Sequence, residues 1–145
     1  SHVELIISRD VKDEDFTVKI DQTKVKQILS NLLSNAVKFT DKGSIDFGYQ
    51  IVKPKEEFIT VENINFVPHS VLLFFVKDTG IGMEKEQHEL IFNRFEKVEN
   101  KTKLYRGAGL GLSISRSLCE MMGGKIWVDS VVNQGSDFYF TIPIA

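Results

Sequence analysis

Apolar residues between Asp21 and Phe39 recur every three or four positions: Val25, Ile28, Leu29, Leu32, Leu33, Ala36 and Val37. This is the period of a helix with one face on a core, and it predicts a helix over 22–39 with Asp21 as its N-cap. VELIIS (3–8) and FTVKI (16–20) flank the polar RDVKDED and read as a hairpin or paired strands. GSIDFGYQIV (43–52) alternates as a strand does. SVLLFFVKD (70–78) is almost continuously apolar, which predicts a central strand buried on both faces. EKEQHELIFNRF (84–95) predicts a short helix. Residues 110–122 predict a second amphipathic helix, closed by Gly123-Gly124. KIWVDSVV and SDFYFTIPI then form two closing strands around an NQG turn. Residues 53–68, bracketed by Pro54 and Pro68, read as a long loop or tolerated surface insertion. Residues 96–108 read as a polar loop. The expected result is a single α+β domain over 1–145, one sheet with helices on one face.

Composition narrows the class without naming a function. The chain has 145 residues, 42% hydrophobic and 26% charged, enough for one proper core. A net charge of −2 gives no reason to expect nucleic acid or a membrane surface as partner. No apolar run approaches the roughly 18 residues that would suggest a membrane span. The single cysteine, Cys119, excludes an internal disulfide and reads as a small buried hydrophobe on a helix. Ser1-His2 at the start suits a domain cut from a longer chain.

Four groups of residues could carry chemistry. Asn31, Asn35 and Lys38, at i, i+4 and i+7, fall within an arc of about 60° beside the apolar stripe. Two amides and an ammonium there could serve a hard cation and a phosphate, or form a solvated face. Asparagine is a poor helix former, so two at mid-helix call for a reason. KDTGIGM (77–83) puts Asp78 at the end of the buried strand, followed by Gly80 and Gly82. An ionised carboxylate only accepts hydrogen bonds, which suits an N–H donor; an ordinary turn would use the same residues. In IFNRFEKV (91–98), Phe92 and Phe95 could anchor a loop or simply be core aromatics. In YRGAGLGLSISR (105–116), Gly107, Gly109 and Gly111 open a helix whose unpaired N–H groups favour an anion. No Lys-Ser or Lys-Thr follows them, and position 112 is Leu, so neither a P-loop nor a dinucleotide turn fits.

Each group is modest alone, but the ordered set is specific. N-x-x-x-N-x-x-K-F, D-x-G-x-G, F-x-R-F, G-x-G-x-G-L and a late G-G-K resemble the Bergerat-type ATP-binding fold. NLLSNAVKFT, VKDTGIGM, IFNRFEKV and GAGLGLSI are similar to the N, G1, F and G2 boxes of the sensor histidine kinase catalytic domain, from about Asp21 to Pro143. The resemblance implies a two-layer α/β sandwich whose mixed sheet is mostly antiparallel. It implies Mg²⁺ held by Asn35 and Asn31, phosphate contacts from Lys38 and Arg94, and Phe39 packed beside adenine. Asp78 would accept from the adenine amino group, with Gly80 and Gly82 permitting close approach. Phe95, Gly107, Gly109, Leu110, Gly111 and Leu112 would belong to the ATP lid and its edges, and Thr141 would lie near the base.

The function implied is transfer of the γ-phosphate of MgATP to a histidine on a separate dimerisation and phosphoacceptor domain. A response regulator acts downstream, the parent is a homodimer, and this domain is cytoplasmic. His2, His69 and His88 lack the phosphoacceptor context H-E-[IL]-[RK]-T-P, so that histidine belongs elsewhere. An ATP-hydrolysing conformational machine on the same fold would need a glutamate where Asn31 stands, and an amide is no general base. A non-catalytic nucleotide-binding module is the third reading.

Overall fold

The computed structural model describes residues 3–8, 20–52, 70–93 and 109–143. The first helix, α1 (Gln22–Phe39), forms where its period predicts, and Asp21 caps it by accepting from Lys24 N at 3.2 Å. Its inner face buries Val25, Ile28, Leu32, Asn35, Ala36 and Phe39. Leu29 and Leu33 are half-buried, whereas Val37 is 60% exposed, off the stripe where the pattern had placed it.

Five strands follow from the remaining apolar runs: β1 (Val3–Ser8), β2 (Gly43–Val52), β3 (Val71–Asp78), β4 (Ile126–Val131) and β5 (Gly135–Pro143). They form one sheet of order β1-β2-β3-β5-β4. Among the described residues only the β1–β2 pairing is parallel; the other three are antiparallel. The sheet is therefore mixed and mostly antiparallel, as expected, and β3 is its central strand. One expectation changes. β1 lies alongside β2, with Val3 opposite Gly43, so its described partner is remote in sequence. Residues 16–19 of the expected second strand lie outside the described residues.

The second helix, α2, runs Gly109–Met121. Gly124 N bonds to Cys119 O at 3.0 Å and Gly123 N to Glu120 O at 2.9 Å, the paired closure that ends a helix at a glycine with positive φ. The helix expected over 84–95 is instead two single turns, Lys85–Gln87 and Leu90–Phe92, with 3₁₀ geometry. Its buried residues Gln87, Ile91 and Phe92 keep helical spacing, so the pattern that predicts a helix is present, but the backbone closes it as two separate 3₁₀ turns.

Helices and sheet meet in one apolar core that includes Ile28, Leu32, Ile45, Val76, Leu112, Cys119, Phe138 and Phe140. Phe74 and Phe140 stack at 4.7 Å. Cys119 is fully buried, its Sγ donating to Thr141 O at 3.5 Å. Burial pushes its thiol up to about 12, so it behaves as a core hydrophobe. On the opposite side of the sheet, Val52, Val71, Leu73 and Tyr139 form a second cluster with Phe75 and Trp127 against it. β3 is thus buried on both faces, as its sequence predicts.

Candidate functional site

Asp78 ends β3 on the helix-facing side, directly opposite Ser136 of β5. It is 5% exposed. Its Oδ1 accepts from Gly80 N at 2.9 Å and from Ser136 N at 3.3 Å. Both bonds fall on one oxygen and fix the carboxylate plane. Burial pushes this carboxyl above its ordinary 3.8; the Gly80 and Ser136 N–H groups pull it back, and Asp137 adds to the upward push. A buried carboxylate held by backbone donors is costly for folding and suited to recognising a cationic or N–H group.

The loop after Asp78 is clamped from three directions. Ile81 N donates to Phe39 O at 3.2 Å, and Thr79 N to Ser44 O at 3.2 Å. Ser130 Oγ accepts from Met83 N at 2.8 Å, while Asn133 N donates to Ile81 O at 2.7 Å. A Cβ on Gly80 would sit 2.3 Å from Phe39 O. Gly82 has φ +66, and a Cβ there would meet Val131 O at 2.0 Å. The two glycines were expected to admit a ligand. What approaches them is the chain's own backbone, so they set the shape of the loop.

On α1 the three predicted residues separate by depth. Lys38 is exposed, with its Nζ 5.5 Å from the centre of the Phe39 ring. Asn31 is half-buried and fully engaged: its Nδ2 donates to Gly111 O at 3.1 Å and Ser115 Oγ at 3.0 Å, and its Oδ1 accepts from Gln27 at 3.1 Å. It joins α1 to the start of α2. Asn35 lies deeper, 7% exposed, and its Nδ2 is buried with no hydrogen-bond partner among the described residues. Leaving a buried amide unpaired costs about 1–3 kcal/mol, a price that a missing ligand explains. Turning that amide about its last bond presents its oxygen, the donor type Mg²⁺ takes. The residues present therefore fit such an ion at Asn35 better than at Asn31.

Three further expectations are corrected. Phe39 points into the core at 5% exposure and serves the site through its backbone oxygen. Leu112 is fully buried in the same core, on the inner face of α2; the lid it was expected to border lies outside the described residues. Thr141 stands opposite Leu73, five residues from Ser136. That is about 17 Å along the strand and on the other face. Its Oγ1 accepts from Lys125 N at 3.2 Å, so it does not join the Asp78 group. Gly109 and Gly111 lie within the first turn of α2, not ahead of it, and Leu110 lies between them. The atoms nearest to a Cβ on Gly111 would be those of the Asn31 amide, at 3.7–3.9 Å. Phe92 is buried and edge-on to Phe138 at 6.2 Å. Arg94, Phe95 and Gly107, with the 96–108 loop, lie outside the described residues.

Sequence reasoning missed Ser136 and Ser130. Ser136 is 1% exposed and is the direct cross-strand neighbour of Asp78. Its place depends on the β3–β5 register, which no local motif encodes. A groove of about 640 Å³ between the second 3₁₀ turn and α2, lined by residues such as Phe92, Ile114 and Arg116, holds none of Asn31, Asn35, Lys38 or Asp78.

Comparison with known proteins bears on this arrangement. Residues 20–145 match the family described as histidine kinase-, DNA gyrase B-, and HSP90-like ATPase. The sensor histidine kinase WalK of Bacillus subtilis (strain 168) is 36% identical over 144 residues, 98% of this chain and 21% of that protein. Hybrid signal transduction histidine kinase B of Dictyostelium discoideum is 43% identical over 124 residues, 85% of this chain and 6% of that protein. Among solved structures, the nucleotide-free catalytic domain of histidine kinase ThkA superposes with a TM-score of 0.72 at 28% identity, covering 98% of this chain and 80% of that one. Full-length ShkA in complex with AMPPNP gives a TM-score of 0.72 at 28% identity, covering 99% of this chain and 26% of that one. The chain thus spans about a fifth or less of the length of these curated relatives.

Proposed function

Since the chain belongs to the histidine kinase-, DNA gyrase B- and HSP90-like ATPase family, as the ATP-binding domain of a sensor histidine kinase, we propose that it presents MgATP for phosphoryl transfer to a histidine on a separate dimerisation and phosphoacceptor domain, in two-component signalling. The observation that carries this reading is Asp78. A buried carboxylate, oriented by two backbone N–H groups on one oxygen, is built to accept from a base amino group.

The remaining residues supply position and charge. Asn35 holds the cation through its amide, and Lys38, at the open end of α1, meets phosphate oxygens. The first N–H groups of α2, unpaired within the helix, lie beside Asn31 and favour negative charge. Bound Mg²⁺ contributes neutralisation of the triphosphate. Phosphoryl transfer of this kind asks the protein for alignment and electrostatic stabilisation, with no nucleophile of its own. Arg94 and the glycines from Gly107 onward complete the phosphate side in this reading. The partners are ATP, the phosphoacceptor domain of a homodimeric parent, and a downstream response regulator, all on the cytoplasmic side.

No glutamate stands at Asn31, and its amide is spent on the α1–α2 joint, which disfavours the water-activating ATPase alternative. The test is to mix the chain with γ-labelled MgATP and the dimerisation domain of its parent. Label on that domain's histidine is expected. Inorganic phosphate release with no protein-bound label would favour a hydrolase instead.

A further inference from the structure

Leu112, Ser115 and Cys119 of α2 are fully buried. They repeat at i, i+3 and i+7, the inner stripe of a helix. Leu112 and Cys119 belong to the apolar core, whereas the serine between them brings a polar group that must be satisfied there. Ser115 Oγ meets Asn31 of α1, whose Nδ2 donates to it at 3.0 Å and to Gly111 O at 3.1 Å. A carbonyl only accepts, so the nitrogen of the Asn31 amide is the atom that faces α2. Its Oδ1 accepts from Gln27 Nε2 at 3.1 Å. Both hydrogens of the Asn31 amide are thus committed to one turn of α2, from Gly111 to Ser115.

Two bonds from one amide fix how α2 slides and turns against α1. Asn35 stands one turn, about 6 Å, further along α1, and Lys38 about 10 Å further. Asn35 is 7% exposed, and its amide nitrogen has no hydrogen-bond partner among the described residues. On the other side of the joint, α2 begins at Gly109, two residues before Gly111, with its first N–H groups unpaired within the helix. We propose that Ser115 is a positioning residue for the phosphate side of the nucleotide site, acting through Asn31 to hold the start of α2 in register with Asn35 and Lys38. Ser115 itself touches no ligand. Hydrogen bonds weaken steeply away from about 2.7–3.2 Å, and the helix dipole acts only over its first turn. A slip of about an ångström at this joint is therefore felt by phosphate and not by a base held at Asp78.

The inference rests on the nucleotide reading above, and one set of titrations separates the two. Dissociation constants of MgADP and adenosine are measured by NMR titration, well below the melting temperature. The proteins are the 145-residue wild type, Ser115→Ala, Asn31→Ala and the double variant. Both ligands carry the base, but only ADP carries phosphate. Ser115→Ala should weaken MgADP about threefold to tenfold, the scale of one hydrogen bond, and leave adenosine unchanged. In the Asn31→Ala background, Ser115→Ala should add no further loss, because the group through which it acts is gone.

A role in stability alone would lower the melt and leave both constants as they are, and that result overturns the proposal. Equal losses for the two ligands, or additive losses in the double variant, overturn it as well. A wild type that binds neither ligand overturns the nucleotide reading, and the proposal with it. A wild type that takes MgADP but not adenosine removes Asp78 as the base contact, and the MgADP constants alone then read the joint. If Ser115→Ala gives no cooperative melt, Ser115→Cys takes its place, being similar in size with only a weak acceptor. An unchanged MgADP constant in that variant overturns the proposal.

Discussion

At the scale of single residues, Asp78 shows how far a short motif can be read and where reading stops. Its place at a strand end was legible in the apolar run before it, and so was its acceptor chemistry. Its orientation was not, because that depends on Gly80 and on Ser136, a residue 58 positions away in sequence. Phe39 failed for a related reason: the N-box pattern named the residue, but packing sent its ring to the core and its carbonyl to the site. Asp78→Asn should weaken MgADP binding tenfold to a hundredfold, since a charged acceptor is replaced by a neutral amide. Stability should change little, because the variant no longer buries a charge; calorimetry and thermal melting separate the two effects. The wild type carries a pH signature as well. Burial raises the Asp78 value in the folded chain, so ionising it there costs free energy. This contribution favours the folded state at low pH and turns against it as pH rises from 3.8 through the raised value. Binding runs the other way, because only the ionised form accepts. Affinity for ADP should fall on acidification, beginning above pH 3.8, and Asp78→Asn should abolish that dependence in titrations across the acid range.

At the scale of elements, α1 was legible over its full length from period and cap, whereas in the 84–95 segment a helical period at Gln87, Ile91 and Phe92 is realised only as two 3₁₀ turns. The joint between α1 and α2 was also beyond the sequence. Asn31 was counted with the metal-binding amides from its spacing, yet it bonds to Gly111 O and Ser115 Oγ. Asn31→Glu loses both donated bonds and sets a carboxylate against a carbonyl, so it should destabilise the fold by about 1–3 kcal/mol. For a domain of this size that lowers the melting temperature by several degrees. An unchanged melt would mean that the joint is held by packing alone. Gly111→Ala tests the same joint with the opposite sign. The added methyl meets the Asn31 amide only at ordinary contact distances, and alanine favours the helix by about 1 kcal/mol. The variant should therefore melt a few degrees higher, and a lower melt would show that α2 needs glycine for closer packing at its first turn.

At the scale of the whole molecule, the layer arrangement was legible and the topology was not. Periodicity says which face of a strand is buried, but not that β1 runs parallel beside β2 or that β5 inserts between β3 and β4. That insertion is what brings Ser136 to Asp78, while the alternation of side chains along β5 sets Thr141 on the far face. The same layout bears on self-phosphorylation. His88, between the two 3₁₀ turns, is the one histidine among the described residues, and its Nε2 is buried. A phosphoacceptor nitrogen must reach the γ-phosphate in line with its leaving oxygen, which a buried ring atom does not do. His2 and His69 lie outside the described residues. The chain alone, incubated with γ-labelled MgATP, should bind nucleotide yet retain no acid-labile phosphate. Appearance of such a label, lost in His88→Gln, would show that the turn opens and that this domain carries an acceptor of its own.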